Sequence, residues 1–209
     1  YEISLGLVGS EICIRFSLIS AGINIPRLLV DKDDPYGKYE LDENVFDKVS
    51  AVNIKGVYLC AQALGHEFVK NGEGVIINMS SESGLEGSEG QSIYAATKNA
   101  VNSFTRSWAK ELGKHHVRVV GVAPGILEAT GLRTLAYEES LAYTRGITVE
   151  QLRAGYTNTK TTPLGRDGKL TEVADMVMFL SSHRASYVHG VTFNVAGAVS
   201  YTHLTLPTN

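Results

Sequence analysis

The sequence predicts an α/β domain in three layers, a doubly wound parallel sheet covered on both faces by helices. Three observations predict it. Short apolar, β-branched runs recur at residues 74–79 (GVIINM), 117–123 (VRVVGVA) and 191–195 (VTFNV). The first two are apolar at most positions whichever face they point to, and all three read as buried strands covered on both faces, as in a parallel sheet. Between them lie stretches with apolar residues three and four apart, so strand and helix take turns along the chain.

Taken in order, residues 1–20 carry neither period and read as an atypical N-terminal segment, foreign to a domain that starts at Ala21. A charged loop with Pro and Gly (DKDDPYGKYELDEN) leads into a helical pattern built on Phe46, Val49, Val52, Val57 and Cys60. After the strand at 74–79, residues 80–92 form a Ser/Gly/Glu loop. Residues 93–112 are the clearest helix, with Val101, Phe104, Trp108 and Leu112 on one stripe and Gly113 as the stop. Pro124 and Gly125 end the next strand. Residues 127–162 are long for a connection in a compact domain and read as a lid or substrate loop. Val173, Met176, Val177 and Leu180 mark a helix at 172–181. Residues 199–209 (VSYTHLTLPTN) are polar and aperiodic, a tail outside the fold. No repeat or linker divides residues 21–198, which therefore read as one domain.

Composition narrows the function. With 209 residues, 44% of them hydrophobic, the chain can bury one sizeable core. Its 19 Lys and Arg against 22 Asp and Glu argue against a phosphate-backbone binder, so no nucleic-acid partner is expected. Cys13 and Cys60 cannot build a disulfide framework, which suits a reduced, cytoplasmic setting. The longest candidate for a membrane span, residues 12–30, is broken by Arg15, Asn24, Pro26 and Arg27. No metal is expected either: the His residues lack ligand spacing, and His115 and His116 sit as cations at a helix exit.

Chemistry concentrates at Tyr94 and Lys98, four apart at the head of the best helix and therefore on one face. That face is also its apolar stripe. A lysine pointing coreward costs free energy unless it is paired or borders a cavity, and beside a phenol it would favour the phenolate. A tyrosine acid/base near neutral pH needs that shift. The spacing alone is weak, since about 0.5 matches arise by chance in such a chain. Tyr156 and Lys160 also match it, but their polar, β-branched, Pro-terminated surroundings (TNTKTTP) read as a solvated loop. What distinguishes Tyr94 is Ser81, directly after a buried strand, where ligand crevices of α/β sheets open.

Read singly, Ser81 and Pro124-Gly125 are turn residues and Asn53 a polar helix residue; Glu82, Glu86 and Glu89 belong to a solvated loop. Together they form an ordered set. INMSS at 77–81, YAATK at 94–98, NIKG at 53–56, VAPG at 122–125 and the closing PLGR, EVA, FLSS, ASYVHG and NVAG resemble the short-chain dehydrogenase/reductase family from Ala21 to about Gly197. The resemblance implies a Rossmann-like fold and a nicotinamide cofactor, NAD or, as the alternative, NADP. It implies that Tyr94 exchanges a proton with the substrate oxygen and Ser81 hydrogen-bonds that oxygen. Lys98 would bind the nicotinamide ribose and lower the Tyr94 pKa, and Asn53 would hold a proton-relaying water. Gly22, Asn53, Tyr94, Lys98, Pro124, Gly125, Ile126 and Thr130 are the implied cofactor contacts.

Two departures stand out. The family's glycine-rich phosphate turn is echoed only faintly by Gly6-Leu7-Val8-Gly9, and its Asn-Asn-Ala-Gly reads Ile19-Ser20-Ala21-Gly22. The N-terminal βα units are accordingly expected to be missing. Within the family, GINIPRLLVD, the acidic loop after it and GILEATGLRTLAYEESLAYTRGIT are similar to members that oxidise a sugar-alcohol phosphate with NAD. A phosphosugar needs cations, and residues 132–166 offer Arg133, Arg145, Arg153, Lys160 and Arg166, with Arg133 and Arg145 preferred. The alternatives are another polyol or a 3-oxoacyl thioester as substrate, or a non-catalytic fragment. By analogy the protein assembles as a homotetramer or homodimer.

Overall fold

A computed structural model describes residues 15–199. Four parallel strands form one sheet in the order β1-β2-β3-β4: β1 (Phe16–Ile19), β2 (Gly74–Met79), β3 (Val117–Pro124) and β4 (Thr192–Val195). Seven α-helices accompany them: α1 (Glu43–Ser50), α2 (Val57–Asn71), α3 (Ser83–Glu86), α4 (Ser92–Leu112), α5 (Leu135–Thr144), α6 (Val149–Gly155) and α7 (Leu170–Ser181). The central register pairs Ile76 with Val119 and Ile77 with Val120.

Strand alternation sorts these side chains into two cores. Ile76 and Val119 face Val57, Phe68, Val101 and Ala109 of α2 and α4. Val75, Ile77, Val120 and Val122 face Val173, Val177 and Leu180 of α7. The doubly wound, three-layer expectation therefore holds, and each face removes its own apolar area from water. No helix among the described residues is long and apolar enough to cross a membrane.

Three local outcomes differ from the sequence reading. The sheet begins ahead of Ala21, because Phe16–Ile19 pairs in parallel with Val75–Asn78. This strand escapes pattern reading because it is short and lies at an edge, leaving Phe16 and Leu18 exposed on a half-covered face. The echo Gly6–Gly9, Cys13 and residues 200–209 of the tail lie outside the described residues. Second, the long helix over residues 43–71 passes through a π turn, Ala51–Gly56, that places buried Asn53 where the helix widens. Such turns gather at functional sites.

Third, the expected lid loop is a folded unit. Thr134 and Thr148 cap α5 and α6 by accepting hydrogen bonds from Tyr137 N and Gln151 N. Leu141, Ala142 and Leu152 make a small core between the two helices, and Arg153 donates to buried Glu138 at 2.6 Å. The acidic loop before α1 grips this unit. Buried Asp31 accepts the Tyr143 hydroxyl at 2.8 Å, and Tyr39 stacks on Tyr143 with centroids 4.1 Å apart.

Candidate active site

The carboxyl ends of β2 and β3 and the first turns of α4 meet at one place. Ser80 N donates to Val122 O and Glu82 N to Pro124 O, so the chain leaving β2 is stitched to the end of β3. Gly125 N donates to Val195 O, which carries the same edge on to β4. A glycine then lets α3 reach α4. A Cβ on Gly84 would lie 2.7 Å from the Lys98 carbonyl carbon and 2.8 Å from its Cβ, so no other residue fits that approach unmoved.

On this platform the structure brings Ser81, Tyr94 and Lys98 together. The Ser81 hydroxyl lies 2.9 Å from the Ser83 hydroxyl and close enough to the Tyr94 phenol to favour its ionised form. Lys98, only 4% exposed, sends its ammonium to Met79 O at 2.8 Å. Its Nζ stands 5.7 Å from the centroid of the Tyr94 ring. Burial pushes the lysine down to about 8.

The tyrosine goes the other way from the sequence expectation. Burial raises the Tyr94 pKa first, the Ser81 hydroxyl opposes that, and the Glu82 carboxylate adds to it. The Lys98 ammonium is turned to the Met79 carbonyl and is not among the groups that set this shift. The phenol is accordingly held protonated at neutral pH, as a donor to an oxygen requires.

Asn53 completes the constellation from the other helix. Its Nδ2 donates to Ile23 O at 2.9 Å and to Thr97 Oγ1 at 3.1 Å, and its Oδ1 accepts from Ile23 N at 2.8 Å. The Gly22–Ile23 backbone is thereby clamped against α4. A Cβ on Gly22 would come within 3.3 Å of Lys98 Nζ and 3.7 Å of Asn53 Oδ1. That bare backbone beside an ammonium with spare N–H donors is a cradle a side chain would crowd, and it fits the ribose hydroxyls of a nicotinamide cofactor.

The other predicted positions separate. Pro124 and Gly125 sit at the strand edge beside Glu82 and β4. Ile126 lines a cavity with Leu127, Thr162, Leu164 and Val195. Thr130 accepts from Leu132 N within its own turn. Arg133 stacks 4.1 Å over the Tyr156 ring and donates to Leu127 O. Arg145 instead faces Glu82 and donates to Ser88 Oγ at 3.2 Å. Among the described residues no group of three or more His, Cys, Asp or Glu could hold a metal.

Sequence reasoning missed three neighbours. Glu82 is half-buried rather than solvated, and burial, with Glu86 adding and Arg145 opposing, pushes its carboxyl up to about 7. Tyr137 lies near both Tyr94 and Tyr156 and donates to Gln91 Oε1 at 3.4 Å. Gln91, 7% exposed, also accepts from Asn24 and donates to Ser88, tying the lid to the chain after β1. The only sequence signal for Glu82 was its place directly after Ser81. Tyr156, set aside with Lys160, is half-buried in the lid; α6 ends at Gly155, so the two never align on a helix.

Comparison with known proteins agrees with this geometry. The family described as Enoyl-(Acyl carrier protein) reductase matches residues 20–200. Sorbitol-6-phosphate 2-dehydrogenase of Klebsiella pneumoniae is 65% identical over 85% of this chain and 66% of its own. A 3-oxoacyl-(acyl-carrier-protein) reductase of Thermotoga maritima is 35% identical over 86% of this chain and 63% of its own. The chain thus spans about two thirds of the length of these relatives. Among solved structures, levodione reductase superposes with a TM-score of 0.72 at 28% identity, over 88% of this chain and 66% of that one. Parallel sheet, Ser-Tyr-Lys cluster and a family match over residues 20–200 converge: the chain belongs to the short-chain dehydrogenase/reductase family.

Proposed function

We propose that this chain carries the catalytic part of an NAD-dependent oxidoreductase that interconverts sorbitol 6-phosphate and fructose 6-phosphate. One observation carries the reading: Ser81 acts on the Tyr94 phenol, and Tyr94 stands one helical turn before buried Lys98, in a chain 65% identical to a sorbitol-6-phosphate 2-dehydrogenase.

Bound nicotinamide supplies or accepts the hydride at the reacting carbon. The protein's own task is then a proton at the oxygen and the orientation of the partners. Tyr94 donates that proton toward fructose 6-phosphate and takes it back from the alcohol, a step worth roughly 10²- to 10⁴-fold in rate. Ser81 hydrogen-bonds the same oxygen and keeps it in line with Tyr94. Lys98 holds the ribose hydroxyls, and Asn53 fixes Gly22 and Ile23 against it while holding a water on the proton path. Pro124, Gly125, Ile126 and Thr130 form the far wall of the cofactor cleft. Arg145, with one hydrogen bond to Ser88, and Arg133, over Tyr156, are the cations for the substrate phosphate.

The setting is cytoplasmic, and the assembly a homotetramer or homodimer. The exposed Tyr58 and Leu59 of α2 and the stacked Phe104 and Trp108 of α4, centroids 4.6 Å apart, offer its apolar contact. The test is NADH oxidation with fructose 6-phosphate, fructose and an acetoacetyl thioester in parallel. The proposal expects fructose 6-phosphate to lead by kcat/KM, and Tyr94→Phe to lose at least a hundred-fold in kcat with NADH binding unchanged. A lead for the thioester overturns the substrate; full turnover by Tyr94→Phe overturns the acid/base role.

A further inference from the structure

The carboxyl end of β2 holds a second titratable group that the proton transfer leaves unused. Glu82 follows Ser81 directly, and its main chain is fully engaged: N–H to Pro124 O at 2.9 Å, carbonyl from Leu85 N at 2.8 Å and Glu86 N at 3.1 Å. Its carboxylate is not. Among the described residues it makes no hydrogen bond and no ion pair, although it is half-buried. Tyr94 of α4 lies within its electrostatic reach on one side, and Arg145, at the end of α5, on the other. Arg145 is held there through Ser88 and Gln91, at 3.2 and 2.9 Å.

Half-burial strips this carboxylate of part of its hydration while leaving its oxygens open to water, and a ligand that displaces that water must supply donors in its place. A polyol supplies several O–H donors around its reacting carbon, whereas a 3-oxoacyl chain supplies none there. We propose that Glu82 is a specificity-determining residue whose carboxylate accepts hydrogen bonds from the substrate hydroxyls that flank the carbon served by Ser81 and Tyr94. This rests on the reading of the chain as a polyol-phosphate oxidoreductase. Selection works in both directions, because an acyl substrate would bury the same carboxylate unpaired.

Charge follows from the surroundings. The groups facing Glu82 are Glu86 on α3, Tyr94 on α4 and Arg145 after α5; burial and Glu86 outweigh the guanidinium and push the carboxyl up to about 7. The accepting form is therefore present above pH 7 and lost below it.

The variant Glu82→Gln keeps the size and the main-chain bonds while removing the charge. Steady-state kinetics with fructose 6-phosphate between pH 6.5 and 8.5, NADH titration by fluorescence and thermal melting are compared with the unsubstituted protein. The proposal expects a loss of about 10- to 100-fold in kcat/KM at pH 8, carried mainly by KM. It further expects the rise in KM below pH 7 to disappear in the variant, with NADH affinity unchanged and a melting temperature at or above that of the unsubstituted protein, since the neutral amide escapes the cost of the buried charge. Equal kcat/KM across that pH range for both proteins overturns the proposal and leaves the functional reading standing. No turnover of fructose 6-phosphate by the unsubstituted protein overturns both, and the two failures are told apart by that control.

Discussion

Replacing Gly84 with alanine tests whether the catalytic platform depends on the close approach of α3 to α4. The added Cβ would stand 2.7 Å from the Lys98 carbonyl carbon, 2.8 Å from Lys98 Cβ and 2.9 Å from Asn99 N. Two of these neighbours are backbone inside a helix, so rotating a side chain gives no relief. Restoring ordinary contact moves α3 about 0.7 Å away from α4, an overpacking cost of about 1–3 kcal/mol. For a chain of this length that lowers the melting temperature by about 2–12 °C. The same shift draws Ser81, just ahead of α3, away from Tyr94, and a displacement approaching 1 Å costs up to about 100-fold in kcat. Differential scanning fluorimetry and NADH oxidation measure the two effects. Gly65→Ala, where an added Cβ meets nothing within 4 Å, is the control and should melt at or above the original temperature. A Gly84→Ala protein with unchanged melting and unchanged kcat would refute the argument.

Two further perturbations follow from the buried polar groups. Lys98 titrates at about 8 in the fold against 10.5 unfolded, so between those values the unfolded chain binds more protons and stability rises with pH. Lys98→Met removes that slope, at most about 3 kcal/mol across the window, which urea unfolding at pH 7.5, 9 and 10 reads as a narrowing stability gain over the unsubstituted protein; a constant difference would contradict it. Asn53→Ala deletes the three hydrogen bonds to Ile23 and Thr97, at about 2–4 kcal/mol, and should weaken NADH binding as Gly22 comes loose. Equal melting and equal NADH affinity would show that the Gly22–Ile23 backbone holds without it.

Legibility followed the range of the interaction responsible. Residues 74–79 and 117–123 announced themselves because a strand buried on both faces is apolar at most positions, here interrupted only by Asn78 and Arg118 besides glycine. Tyr94 and Lys98 were legible as an i, i+4 pair on the best helix, and the ordered motifs around them carried Ser81, Asn53 and the strand-end Pro124-Gly125. β1 was not, because a four-residue edge strand with exposed Phe16 and Leu18 has no complete pattern of its own. α5 and α6 hid for a related reason. α5 buries Glu138, Ser140 and Thr144 beside Leu141, and the partners that make this tolerable, Arg153 above all, come from the next helix.

Local periodicity and a run of spaced motifs, both properties of the chain alone, determined the parallel α/β class, the catalytic helix and the residues worth naming. Tertiary structure decided what each of those residues experiences. It buried the Tyr94 phenol, so that its pKa rises instead of falling, and it turned Lys98 to the Met79 carbonyl. It gave the two arginines different partners beside the same pair of tyrosines, Tyr137 and Tyr156: Arg133 stacks on Tyr156, and Arg145 donates to Ser88 within reach of Glu82. It also made a solvated-looking glutamate into a half-buried neighbour of the active tyrosine. Burial and electrostatic contact are sums over residues distant in sequence, and no window along the chain contains them.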